Sequence, residues 1–168
     1  LCLTVTSFGQ EMMLNGGFES WELDMTPTDW FRAEGVIKST DANTGVFSAK
    51  QINSATSGNI RLTQIIPGVI AGESYTITFW YNIAADAGSV VKMESFFKDS
   101  GNASLTGTTA GIALEVNGNA WTKYEQTVTA PATATKLYFE LRTYSNTTVY
   151  FDDFSFVRNP FIWTGAAN

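Results

Sequence analysis

Two acids stand side by side in a segment where a strand disfavours them. Asp152 and Asp153 interrupt Thr148-Val149-Tyr150-Phe151-Asp152-Asp153-Phe154-Ser155-Phe156, a run otherwise β-branched, aromatic or small, and Asp is depleted from strands. Adjacent carboxylates repel unless something positive offsets them, and hard cations bind carboxylates and backbone carbonyls. A third acid, Glu19, closes a glycine-kinked turn, Asn15-Gly16-Gly17-Phe18-Glu19, with Trp21 two residues on. Glu19 with one of Asp152 or Asp153 makes the start of a calcium site. The competing reading is that Asp152 caps a turn by accepting backbone N–H bonds.

A second constellation mixes rings with charges. Trp80, Phe96, Tyr138 and Tyr144 supply rings; Asn82, Lys92, Glu94, Glu140, Arg142 and Gln64 supply polar groups. Aromatic rings stack on apolar faces, such as the C–H faces of sugars, while planar Arg and carboxylates make directional bonds to hydroxyls. If a loop covered these residues they would be a second layer of core, but charges under a cover are costly unless paired, which favours an open face. Glu94 and Glu140 facing each other would pose a glycosidase dyad, and Tyr144 with Arg142 and Lys92 a lyase. Against both, the chain has no histidine, no clustered acid motif, and a charge-compensated patch is commonly a solvated face. We therefore expect no catalysis.

The missing histidine also removes Ser-His-Asp and Cys-His systems and histidine-ligated metals. A net charge of -6 argues against nucleic acid as partner and against a strongly anionic polysaccharide, with Lys92 and Arg142 leaving a local exception. The single cysteine, Cys2, excludes an intrachain disulfide.

Short β-rich runs bounded by Gly, Asn, Asp, Ser and Pro must position these groups. They fall at 35–39, 48–52, 59–66, 74–83, 89–98, 111–115, 122–129, 135–144 and 147–157, and predict an all-β, two-sheet antiparallel sandwich. Alternation places Tyr75, Ile77, Phe79, Met93, Leu137, Phe139 and Leu141 inside and the polar-aromatic set on the opposite faces. Trp121 reads as core; Trp21 and Trp30 sit in a loop-rich stretch and either pack or line one end of a binding surface. Residues 1–10 are apolar, end in small residues and read as a signal-peptide remnant, with an ordinary first strand as the alternative. Secretion or display at the cell surface is the expected localisation, with no membrane insertion. Residues 11–158 form the expected domain. Residues 159–168 read as a linker or the start of a following domain, so that the chain is a piece of a longer protein.

Taken in order, the N-G-G-F-E…W opening, the segment 45–50, the turn and strand from Pro67 to Tyr81, and the D-D ending resemble the jelly-roll carbohydrate-binding modules of the xylan- and cellulose-binding kind (families 4, 9, 16 and 22). The resemblance covers roughly residues 11–157. It implies a jelly roll, a non-catalytic module that anchors an attached enzyme or adhesin to polysaccharide, and a structural calcium. Carried over by position, the calcium ligands would be Gly17, Glu19, Thr44 and Phe47 flanking Gly45, and Asp152. Phe161 to Asn168 resembles the opening of repeats in large surface proteins of gliding and gut Bacteroidetes. A protein-binding adhesion module on the same sandwich is the alternative function.

Overall fold

The computed structural model describes residues 9–84, 88–105 and 109–160, with the side chains of Thr109 and Ala110 excepted. The expectations for 1–8 and 161–168 lie outside the described residues. Among the described residues there is no helix, and twelve strands form three antiparallel sheets. β1 (Trp21–Leu23) and β2 (Thr26–Pro27) make a small hairpin. β3 (Arg32–Ala33), β6 (Asn59–Pro67), β8 (Val91–Lys98), β9 (Thr109–Leu114) and β11 (Lys136–Tyr144) form one five-stranded sheet, ordered β3-β6-β11-β8-β9. β4 (Val36–Ser39), β5 (Ser48–Asn53), β7 (Ser74–Ile83), β10 (Thr122–Thr129) and β12 (Thr147–Arg158) form the other, ordered β10-β7-β12-β5-β4. The fold is thus the expected all-β sandwich with jelly-roll character. The nine expected strands are present within a few residues of their expected bounds; β1, β2 and β3, two or three residues each, are too short for a period-2 signal.

Strict alternation builds the core. Tyr75, Ile77, Phe79, Met93, Leu137, Phe139 and Leu141 are all buried, as expected. Phe79 stacks on Tyr124 at 4.8 Å and on Phe154 at 5.0 Å, and meets Phe139 edge-on at 6.1 Å. Such pairs add to the value of the area they bury. Trp30 belongs to this cluster: it is buried, stacks on Phe18 at 4.9 Å and meets Phe154 edge-on at 5.1 Å. Trp21 is half-buried, its indole N–H donating to the Phe18 carbonyl. Trp121 is half-buried, not core, with its ring 6.5 Å from Tyr150.

The pairing of β12 with β7 breaks between Asp152 and Ser155. Asp153 there adopts a left-handed φ of 51°, the signature of a β-bulge, which bends the strand and re-aims its side chains. The bulge docks the N-terminal turn: the Phe154 N–H donates to the Gly16 carbonyl at 3.0 Å. The approach is so close that a Cβ on Gly16 would stand 2.0 Å from the Phe154 carbonyl oxygen and 2.9 Å from its carbon. At Gly17 the nearest atom is Asp153 Oδ1 at 3.7 Å. Gly16→Ala is therefore expected to cost about 1–3 kcal/mol of stability through overpacking against backbone, and Gly17→Ala less than about 1 kcal/mol. Urea unfolding of the two variants checks the contrast; equal losses would sink it.

Candidate functional site

Residues directly opposite across an antiparallel pair share a face, so register assembles the outer surface of the β3-β6-β11-β8-β9 sheet. On β11, Lys136, Tyr138, Glu140, Arg142 and Tyr144 alternate with the buried Leu137, Phe139, Leu141 and Thr143. Tyr138 lies between Ile65 and Phe96, Glu140 faces Thr63, and Arg142 lies between Arg61 and Lys92. Arg32 joins the same face from β3, opposite Thr63. The structure thus brings together Lys92, Glu94, Phe96, Tyr138, Glu140, Arg142 and Tyr144, all half-buried except Glu140. It adds Arg32, Arg61, Thr63 and Ile65, whose strands gave weak or non-alternating patterns. Ile65 is 42% exposed, an outward isoleucine that could have been flagged from its position between Gln64 and Ile66.

Glu140 organises this face. Its side chain is 1% exposed yet has partners on both oxygens. Oε1 accepts from Arg142 Nε at 2.7 Å; Oε2 accepts from the Tyr138 hydroxyl at 3.0 Å and the Thr63 hydroxyl at 3.3 Å. Burial and the Glu140 carboxylate together push the Tyr138 phenol up. Burial opposes the Arg142 charge, but the bond and attraction of Glu140 outweigh it and hold the guanidinium above its usual value. The result is a ring and a guanidinium fixed side by side on a rigid strand. Lys92 Nζ lies 5.3 Å from the Tyr144 ring centre and Lys98 Nζ 5.3 Å from that of Tyr138, at cation–π range.

Three of the expected residues are elsewhere. Trp80 and Asn82 project from β7, in the other sheet, where Trp80 stands opposite Asp152 and Lys123, and Asn82 opposite Tyr150. Alternation assigned their face within the strand correctly, but a strand's own period carries no information on which sheet it joins. Gln64 is buried beside Phe139, not Tyr138. Its amide clamps Leu14, accepting from the backbone N–H at 2.9 Å and donating to the carbonyl at 2.8 Å.

The acids of the chain ends converge on the loop before β5. Glu19 Oε1 accepts from the Val46 and Phe47 N–H groups at 2.8 and 3.0 Å. Asp152 Oδ2 accepts from the Asn43 and Thr44 N–H groups at 2.8 and 3.2 Å, and Oδ1 from the Asp153 N–H at 2.8 Å. Asp153 accepts from the Thr44 hydroxyl at 2.6 Å and the Asn43 amide at 2.7 Å. Gly45 has φ 66°, and a Cβ there would strike Glu19 Oε1 at 2.1 Å. Gly17, Glu19, Thr44, Phe47 and Asp152 therefore gather at one junction. The converging side chains are carboxylates, the ligands a hard cation takes, and they are met here by backbone N–H groups and the Thr44 hydroxyl; among the described residues no three Asp, Glu, His or Cys side chains converge as a metal-holding group. Asp152 is fully buried. Burial, then the neighbouring Asp153, push its carboxyl up to about 6, against the pull of the three N–H bonds.

A family model described as Carbohydrate binding domain matches residues 10–148. Solved structures share the fold at low identity. The xylan-binding CBM22-1 domain of Paenibacillus barcinonensis Xyn10C aligns with a TM-score of 0.62 and 15% identity, covering 92% of this chain and 97% of its own. TmCBM61, solved in complex with β-1,4-galactotriose, aligns with a TM-score of 0.65 and 15% identity, covering 89% of this chain and 99% of its own. The enzymatically active domain of bacteriophage CBA120 tailspike protein 4 aligns with a TM-score of 0.72 and 13% identity over 89% of this chain, which spans 21% of that larger chain. No curated protein matches the sequence.

The raised pKa of Asp152 fixes the sign of a pH effect. With a chelator present, the folded state holds this proton more tightly than the unfolded chain, so the group favours folding at low pH. Its contribution is lost as pH rises from about 4 to about 6. Asp152→Asn, which cannot titrate, should flatten the fall in stability between pH 4.5 and pH 7. Urea unfolding at both pH values, in EDTA, gives the comparison; parallel slopes for the two proteins would contradict the assignment.

Proposed function

The chain belongs to the Carbohydrate binding domain family, and from that premise we propose that the outer face of the β3-β6-β11-β8-β9 sheet is its polysaccharide-binding surface. As a member of this family it is a non-catalytic sugar-binding module. The observation that carries the location is the Tyr138–Glu140–Arg142 array, a ring and a guanidinium held by one buried carboxylate. Phe96, Tyr138 and Tyr144 offer stacking surfaces, Arg142, Lys92 and Glu94 offer bonds to hydroxyls, and Glu140 is a positioning residue. Two features support this face: its rings are preformed, which limits the ordering cost of binding, and its polar groups are already oriented. By its fold and family the module suits an extracellular role, tethering an attached enzyme or surface protein to its glycan.

The junction of Glu19, Asp152 and the 44–47 loop fits calcium by the chemistry of its oxygen donors. Glu19 and Asp152 would bind through carboxylates and Gly17, Thr44 and Phe47 through carbonyls. A bound cation would offset the Asp152–Asp153 repulsion and tie the N-terminal turn to β12. It takes no part in sugar recognition, being on the other sheet.

Affinity gel electrophoresis against soluble polysaccharides, followed by calorimetry on those that retard, tests the surface. Phe96→Ala and Tyr138→Ala should each weaken binding by on the order of 1–2 kcal/mol with the fold intact, while Trp80→Ala binds like wild type. The reverse pattern would move the site to the other sheet.

For the cation, calcium at 100 times its Kd should stabilise the wild type by about 2.7 kcal/mol and Asp152→Ala hardly at all. A melting temperature indifferent to calcium and chelator would remove it from the account.

A further inference from the structure

The cations of this acidic protein are not spread evenly. Of ten Lys and Arg residues, six (Arg32, Arg61, Lys92, Lys98, Lys136 and Arg142) stand on the outer face of the β3-β6-β11-β8-β9 sheet. The acids on the strands of that face are Glu94 and Glu140, with Glu34 at its edge, 3.7 Å from Arg32. A chain of net charge -6 thus presents a locally positive surface, and local potential governs what docks there.

The cations also stand in rows. Arg61, Arg142 and Lys92 are directly opposite one another across three adjacent strands, and Lys136 is opposite Lys98. Like charges directly opposite destabilise a sheet. The first row has one carboxylate in bonded contact, Glu140 on Arg142, and Arg61 and Lys92 make no ion pair among the described residues. In the second, Lys98 and Lys136 are held by neutral groups of the turn after β8: the Asn102 carbonyl at 3.2 Å, the Ser104 hydroxyl at 3.3 Å and the Asn102 side-chain oxygen at 2.7 Å. The two rows are six residues apart along β11, roughly 20 Å at strand rise, with Phe96 and Tyr138 between them. A single sugar reaches one row; a polymer bearing recurrent negative charge reaches both and stacks on the rings between.

We propose that this face selects an acidic polysaccharide, one carrying carboxylate (uronate) or sulfate-ester groups along its backbone. The proposal rests on the reading of this face as the polysaccharide-binding surface. Arg61 and Arg142 present planar forks suited to either anion, and Lys92, Lys98 and Lys136 act as point charges.

The test compares alginate and polygalacturonate, as carboxylate polymers, with carrageenan, as a sulfated one. Xylan, β-glucan and galactan serve as neutral polymers, and single-stranded DNA as a polyanion without the sugar-stacking geometry. At least one acidic glycan should bind more tightly than every neutral one, and its affinity should fall ~10-fold or more between 50 and 500 mM NaCl, as exposed charges are screened. Arg61→Gln with Lys92→Gln should clearly weaken both the salt dependence and the affinity, the second row remaining, whereas Lys50→Gln with Lys123→Gln, on the other sheet, should leave both unchanged. Which acidic arm responds identifies the anion. Neutral polymers binding through Phe96 and Tyr138 without salt dependence would overturn this proposal and leave the surface assignment standing. DNA binding as tightly as any glycan would overturn it by showing charge without selectivity. Failure of every polymer to bind, or binding indifferent to Phe96→Ala and Tyr138→Ala, would overturn the surface assignment and this proposal with it.

Discussion

The docking of the Asn15–Glu19 turn onto the bulge of β12 is the constraint from which the rest of the molecule follows. The left-handed Asp153 lets consecutive residues serve three masters. Asp152 is turned onto the N–H groups of the 43–44 loop, Asp153 onto its side chains, and Phe154 into the core. Phe154 contacts Phe18, Trp30, Phe79 and Phe139 at ring distances of 5.0 to 5.7 Å, so the bulge knits the N-terminal turn, both sheets and the last strand into one aromatic cluster. Close-packed interiors transmit such constraints because they do not deform continuously. Through Phe139 the cluster reaches β11, whose opposite side carries Tyr138 and Glu140.

Two buried carboxylates show how differently the same group is handled. Glu140 has a guanidinium and two hydroxyls on its oxygens; removing any one leaves the others, but removing Arg142 strands a buried charge, the costly case. Asp152 has three backbone N–H donors and a second acid for a neighbour. Its charge is held by dipoles alone, and burial wins, which is why the carboxyl rises to about 6. One carboxylate is finished as it stands, and the other is stabilised further by any positive partner.

Much of this was legible in the residues, and the gaps have physical causes. Period-2 alternation in β7, β8 and β11 gave the core face, because one buried side per strand leaves a clean signal. The N-G-G-F-E and D-D segments pointed to each other because both break local rules, and broken local rules mark special sites. Sheet membership was not legible: Trp80 and Tyr138 sit in equivalent local patterns on opposite sheets, and only long-range pairing separates them. Gln64 misled for a similar reason, since β6 is buried at three consecutive positions, Leu62, Thr63 and Gln64, and alternation fails there. Arg32 was invisible because a two-residue strand has no period, and Arg61 because its significance comes entirely from Arg142 and Lys92 beside it. Net charge pointed away from anions; register reverses the sign locally.

The place of β12 in its sheet has a consequence for how the chain comes to fold. The last of the described strands lies in the middle of its sheet, hydrogen-bonded to β7 on one side and β5 on the other. Until residues 147–158 arrive, β5 and β7 have no partner along those edges, and nascent β-sheet edges are templates for misassociation. Nor can the aromatic cluster close, since Phe154 and Phe156 come with the same strand. Early collapse of the preceding residues is thus denied its central pairing, and the contacts that await β12 are long-range, from Val149 with Ile83 to Phe154 with Gly16, the slow end of the range for a domain of this size. A chain stopped short of β12 keeps every strand of the β3-β6-β11-β8-β9 sheet but splits the other into two open-edged pairs, β10-β7 and β5-β4, with nothing between them.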